Sequence, residues 1–385
     1  MKNPQSRFAG AKLFAALLGL TLCACQLNAE LSWYGNVYGS GGDAPPSPAS
    51  TGWTAGSGSF YIGENSYGMI DVDNVTVGIW YGTISVGDSQ YASGEVTVRA
   101  GGWLTASAMI IGNSGSGNVI LEGGKMQANN LTIGKYADAQ GSLVVNSGAS
   151  VDVWGYSTDT TTVGYVSIGG SSDYQAGGNN GTGSLHINGG TFNLSHTASA
   201  ILVGATGYGT LTVSAGTLSA ATLGLGGAEF RSSLGWGHNG MIYISGGVVN
   251  VSTLSSGYKD NGATQRHTLT LAGGTLSVSQ GVTFVESYSG NMYLQSGTFS
   301  AGSVLFAGEN NLTVGNAMSY VRMESLHVRT QYGSGPPAFT IAVDKDHTGS
   351  PQPIISVGQL TLENGAYYIV DFSNFGEMDA AVVNL

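Results

Sequence analysis

The chain has 385 residues, 63 of them glycine, with 9% charged residues and a formal net charge of −11. Glycine stands at about twice its usual share of roughly 7%, and charge falls far below the usual ~25%. The acidic balance excludes the basic footprint of a nucleic-acid binder, and the regular Val, Ile and Leu exclude a disordered Gly-rich linker.

Lys2, Arg7 and Lys12 precede an apolar run at residues 13–25, and Leu27-Asn28-Ala29 offers a cleavage site before Glu30. This predicts a secretory signal peptide over residues 1–29, too short for the ~20 residues of a membrane-spanning helix. A second reading takes Leu22-Cys23-Ala24-Cys25 as a bacterial lipobox, with Cys25 as a lipid anchor. Both cysteines lie in the predicted signal, so the mature chain has none for a structural disulfide. Its nine basic residues against 23 acidic ones leave a net of −14. The predicted location is extracellular or on the outer cell surface.

Residues 30–56, with Pro45, Pro46 and Pro48, read as a linker and N-terminal cap. Repeats are predicted over residues 57–318. They are degenerate at first and then regular from Gly94. Cycles open at Gly94, Gly117, Gly141, Gly183, Gly209, Gly240, His267 and Gly290. Seven residues later stands Gly101, Gly124, Gly148, Gly190, Gly216, Gly247, Gly274 or Gly297. Two residues beyond come Trp103, Met126, Phe192, Leu218, Val249, Leu276 and Phe299, with Ser150 breaking the rule beside Val151. Alternation at period two turns Val96 and Val98 inward and Thr97 outward, and likewise Leu185 and Ile187 against His186. Glycine at the fixed offset allows a bend with positive φ. Three short strands and their bends make a triangular coil that buries its apolar face only by stacking on its neighbours.

The expected fold is therefore all-β, a right-handed parallel β-helix (β-solenoid). About nine to ten rungs stacked at ~4.8 Å give a rod of roughly 45 Å. Insertions at residues 155–162 and 171–182, and a smaller one at 229–239, are expected as corner loops. After Met318 the glycine rhythm fails, strand-like segments persist at Ala338–Val343, Leu360–Leu362 and Tyr367–Phe372, and residues 319–385 are expected to form an irregular C-terminal cap over the strand edges.

The G-x-φ-x-φ…GG-x-φ…φ-x-φ-G cycle, where φ is an apolar residue, resembles the Gly-rich repeats of autotransporter passenger regions and related bacterial surface β-helix proteins. The resemblance spans about Gly68 to Gly315 and implies a right-handed parallel β-helix exported to the cell surface or beyond. The tail after Met318 is too short for a translocator barrel, so the chain is passenger-like only, or a piece of a longer product.

Gly235-Trp236-Gly237-His238-Asn239-Gly240 matches G-x-G-x-x-G but leads into a strand, Met241–Ile244, where a dinucleotide site needs a helix. Asp71 and Asp73 share one strand face and are the candidate paired carboxylates. The equivalent positions in later cycles are Thr97, Ile120, Val144, His186, Thr212, Tyr243, Thr270 and Tyr293, which read as a solvated face. His186, His196, His238, His267, His327 and His347 form no H-x-x-x-H pair, and no G-x-S-x-G elbow exists. Outward Tyr243 and Tyr293, with Tyr156, Tyr174 and Trp236 in loops, are candidates for stacking on sugars. The expectation is an exported structural or adhesive β-solenoid, not an enzyme, with no catalytic, metal or cofactor-binding residues and no cofactor. Its expected partners are glycans or other cell-surface components. The alternative is a polysaccharide-active parallel β-helix lyase or hydrolase with acidic residues on one exposed face.

Overall fold

The structure, a computed structural model, describes residues 30–40, 52–154, 165–170, 181–196, 200–226, 239–256, 267–284, 290–330, 337–342, 355–363 and 365–371. Its regular elements among these residues are all β-strands, from Glu30–Gly35 to Tyr367–Asp371. No helix among them is long and apolar enough to cross a membrane. The predicted signal and Cys25, the prolines at 45, 46 and 48, and most of each predicted corner insertion lie outside the described residues.

From Tyr67 onward the chain visits three parallel ladders in a fixed order. In one circuit Ser93–Arg99 joins the first ladder, while Trp103–Ile111 joins the second with its first half and the third with its last. The register follows the repeat. Gly68 pairs with Gly94, Gly94 with Gly117, Gly117 with Gly141, Gly141 with Gly183, Gly183 with Gly209, and Gly209 with Gly240. Side chains alternate as period two demands: Val96, Val98, Leu185 and Ile187 are fully buried, while Thr97 and His186 remain half-buried on the other face.

The core is one apolar column per ladder. Leu104, Met126, Val151, Phe192, Leu218, Val249, Leu276 and Phe299 are buried in register along the second ladder. Phe284 stacks on Phe306 in the third, with ring centroids 4.9 Å apart. Such like-on-like packing gives each circuit the apolar cover that it cannot supply alone.

Two details of the predicted repeat need correction. Trp103 pairs with Lys125 and only Leu104 with Met126, so the core residue of the Gly94 circuit comes one place later than the rule expects. Ser150 and Val151 repeat that offset. The eight offset glycines also divide. Gly101, Gly148, Gly216, Gly247, Gly274 and Gly297 have positive φ, but at the other two corners the preceding Gly123 and Gly189 carry it.

The opening glycines are not bends at all. At Gly94 a Cβ would overlap the Ile62 carbonyl oxygen and stand 2.5 Å from the Gly87 amide nitrogen, so the position is fixed by close approach of the preceding circuit. In two circuits where glycine is replaced, a buried polar side chain occupies the place. His267 is fully buried there. Asn310, also fully buried, accepts a 2.9 Å hydrogen bond from the Gly290 amide and donates to the Phe284 and Ala307 carbonyls.

Both ends add strands outside the glycine cycle. Glu30–Gly35 runs antiparallel to Tyr67–Asp73, and Val37–Ser40 antiparallel to Trp53–Ile62, so part of the predicted linker is ordered as strand. Leu31 is buried at this end and Trp53 packs on Phe60 at 4.8 Å. Beyond Met318 the ladders continue through Ala338–Ala342, Ile355–Leu362 and Tyr367–Asp371, although the glycine rhythm has stopped. Buried Val321, Met323, Leu326 and Val328 explain this, because inward alternation alone sustains a ladder. Asp344, Lys345 and Asp346 lie outside the described residues.

Candidate functional site

One outward row of the first ladder contains the residues that the repeat aligns with Asp71. Asp71 pairs with Thr97, Thr97 with Ile120, Ile120 with Val144, Val144 with His186, His186 with Thr212, Thr212 with Tyr243, Tyr243 with Thr270, and Thr270 with Tyr293. Asp71 itself is already engaged. Arg99 donates from Nε to both its carboxylate oxygens at 3.1 and 3.0 Å, and from Nη1 to Glu122 at 2.8 Å. The bonds to Asp71, reinforced by the charge of Asp71, raise the guanidinium pKa above its ordinary value. Asp73 remains on the same strand, two residues along.

This is a surface ion-pair ladder across three neighbouring strands, with side chains from a quarter to about a half exposed. Exposed pairs contribute little because water screens them. Replacing Arg99 by Met is expected to change the unfolding free energy by less than about 1 kcal/mol, read by urea titration.

The histidines do not converge. His186 lies on the outward row, His267 is buried at a corner, and His327 Nε2 lies 2.8 Å from Glu363 Oε1 on the third ladder. His238 and His347 lie outside the described residues, as do Tyr156, Tyr174, Trp236 and most of the G-x-G-x-x-G motif. Among the described residues no three His, Cys, Asp or Glu side chains gather where a metal could be held.

A concavity lies elsewhere, along the corner between the second and third ladders. The register column that ends the second-ladder strands there mixes small and larger residues, Ala106, Ala128, Ala220 and Ala301 beside Ile79, Val153, Leu194, Val251 and Val278. Along this corner runs a gutter in two stretches. One stretch, about 330 Å³, is lined by Gly56, Trp80, Tyr81, Thr105, Gln127, Asn129 and Trp154, among others. A longer stretch, about 800 Å³, is lined by Ser219, Asn250, Ser277, Ser300 and their neighbours, with Arg322 and Glu324 at one end and His196 at the other. Ser219, Asn250, Ser277 and Ser300 pair successively, so each circuit adds one polar side chain to the same wall. On the opposite wall the Thr222 and Thr253 hydroxyls are hydrogen-bonded at 2.9 Å.

Trp80 and Tyr81 reach this corner through a bulge. Ile79 pairs with Ala106 and Thr83 with Ala108, so Trp80, Tyr81 and Gly82 stand opposite Ser107 alone. The surplus residues are pushed outward, leaving Trp80 51% and Tyr81 84% exposed. Trp154 follows the second-ladder strand Ser150–Val153 and is 50% exposed. The sequence reading missed all three aromatics. The available signal was a circuit running two residues longer between its second- and third-ladder segments than the circuit after it.

Chemically, the gutter offers flat apolar rings at one end and hydroxyl and amide groups along the rest, an arrangement suited to holding a ligand and lacking paired free carboxylates. The Asp71 row of the first ladder offers one engaged carboxylate and little else that reacts. Compared with protein-family models, curated proteins and solved structures, the chain matches none.

Proposed function

We propose that the chain is a right-handed parallel β-helix that serves as an exported structural or adhesive module of the bacterial cell surface, similar to an autotransporter passenger. The observation that carries this reading is the residue-by-residue parallel register of three ladders from Tyr67 to Asp371, which makes the stacked body the main feature of the molecule. The basic and apolar segments of residues 1–29 support export, and the style of the glycine repeat supports the family comparison. Glycans or other cell-surface components are its partners in this reading.

The competing reading, a polysaccharide lyase or hydrolase, would need Asp71 or Asp73 as a free acid or base. The engagement of Asp71 by Arg99 weighs against it. A panel of pectins, alginates and host glycans separates the two. Binding without turnover is expected; turnover of any one glycan, abolished in Asp71→Asn or Asp73→Asn, would establish the enzyme instead. Mass spectrometry of the exported protein should show cleavage before Glu30 or acyl chains on Cys25. A chain retained uncleaved in the cytoplasm would overturn the proposal.

A further inference from the structure

Three large aromatic side chains sit exposed on one corner of a protein whose other large apolar groups are mostly inside. We infer that this corner is a binding site for a neutral linear glycan. In it, Trp80, Tyr81 and Trp154 are stacking platforms, and the hydroxyl and amide wall of the later circuits supplies hydrogen bonds. The inference rests on the surface-module reading above and gives it a ligand class and a location.

Geometry comes first. Trp80 and Trp154 hold the same corner position in circuits three apart, about 14 Å at 4.7–4.9 Å per circuit. Ser107 and Asn129 lie between them, joined by a 3.3 Å hydrogen bond, beside Ala106 and Ala128. A sugar ring has an apolar C–H face and a rim of hydroxyls. Indole and phenol rings match the face through burial and dispersion, and the polar residues between them match the rim. Gln127, lining the same space, has a side-chain oxygen with no hydrogen-bond donor among the described residues. Turned toward the gutter, that amide would accept from a sugar hydroxyl, which answers the usual demand that buried polar atoms find partners.

Periodicity comes second. The wall formed by Ser219, Asn250, Ser277 and Ser300 repeats one polar group per circuit, and a ligand that exploits such a wall must itself be extended and repetitive. A globular protein partner would instead be expected to meet an apolar centre with aromatic and Arg anchors. Charge decides the rest. The ionisable residues lining the gutter among the described residues, His196, Arg322 and Glu324, lie toward the two ends of the longer stretch. A chain of net charge −11 repels polyanions. The favoured polymer is therefore uncharged.

The test uses the full exported chain in affinity electrophoresis through gels containing dextran, laminarin or xylan, with alginate and polygalacturonate as the charged comparison. Retardation by at least one neutral glycan is expected. The double variant Trp80→Ala, Trp154→Ala should lose about tenfold or more in affinity, while Tyr91→Ala should change it by less than about twofold. Tyr91 is 93% exposed and lies at the corner between the third and first ladders. Should the double variant melt early, acrylamide quenching of the wild type decides, because a bound neutral glycan must shield tryptophan. Retardation only by the charged polymers, no retardation at all, or full binding by a folded double variant would each overturn the inference. A chain displayed on the cell surface that binds no neutral glycan removes this inference alone; a chain that never leaves the cytoplasm removes the functional reading, whatever it binds.

Discussion

Replacing Gly117 by valine is expected to destabilise its part of the stack by about 3 kcal/mol or more, near the top of the range for overpacking. A Cβ at this position would overlap the Gly112 amide nitrogen and the Val86 carbonyl oxygen and approach the Ile111 carbonyl carbon to 2.9 Å. Those atoms are backbone, and they carry the ladder: the Gly112 amide donates to Val86 at 2.7 Å. Relief would require separating two circuits and losing that bond. Gly123 provides the contrast. Its φ is +85°, but the nearest atom to an added Cβ is 3.4 Å away. Gly123→Ala should therefore cost only the left-handed penalty, about 1–2 kcal/mol. Native-state hydrogen exchange should show protection lost around residues 86–117 in the first variant and largely kept in the second. Local exchange is the better readout because repeat stacks open in sections.

Truncating Phe299 to alanine is the second large effect, expected at about 3–5 kcal/mol. The ring is fully buried and stands in register between Leu276 and Val321. Its removal leaves a void that backbone bonding on both sides prevents from closing. Ser300, the next residue, faces the gutter, and its 3.4 Å contact with Ser277 is marginal. Ser300→Ala should change stability by less than about 0.5 kcal/mol. Urea unfolding of both variants, followed by near-ultraviolet circular dichroism, checks the difference.

Much of the architecture was legible because its two rules are local. Inward alternation marks strands, and glycine at a fixed offset marks corners. Gly94, Gly117 and Gly141 thus announced the first ladder, and the equivalence of Asp71, Thr97 and Ile120 follows from the same spacing. What the spacing conceals is why each glycine is there. The opening glycines yield to a neighbouring carbonyl, whereas the later ones bend, and the two look alike in sequence.

Beyond Met318 the strand-like segments were legible, but their place in the same ladders was not, for a related reason. The corners there stop using the glycine pattern, while Val321, Met323, Leu326 and Val328 still alternate inward. The gutter was the least legible feature. It depends on the alignment of Ser219, Asn250, Ser277 and Ser300 across circuits and on a bulge at Trp80-Tyr81, and neither is apparent within a single repeat. The equivalents of Asp71 in later circuits already spoke against paired carboxylates, but the engagement of Asp71 by Arg99, 28 positions later, could not be read from the spacing.

Paired cysteines test the central claim most directly. Thr97 and Ile120 are adjacent outward residues on neighbouring parallel strands, at a spacing within disulfide reach. Leu121, one residue on, faces the core. Under mild oxidation, Thr97→Cys with Ile120→Cys should link completely, as mapped by peptide mass spectrometry, while Thr97→Cys with Leu121→Cys should not, because a one-residue slip turns the side chain to the opposite face. Linkage in the second pair and none in the first would contradict the register on which the whole account stands.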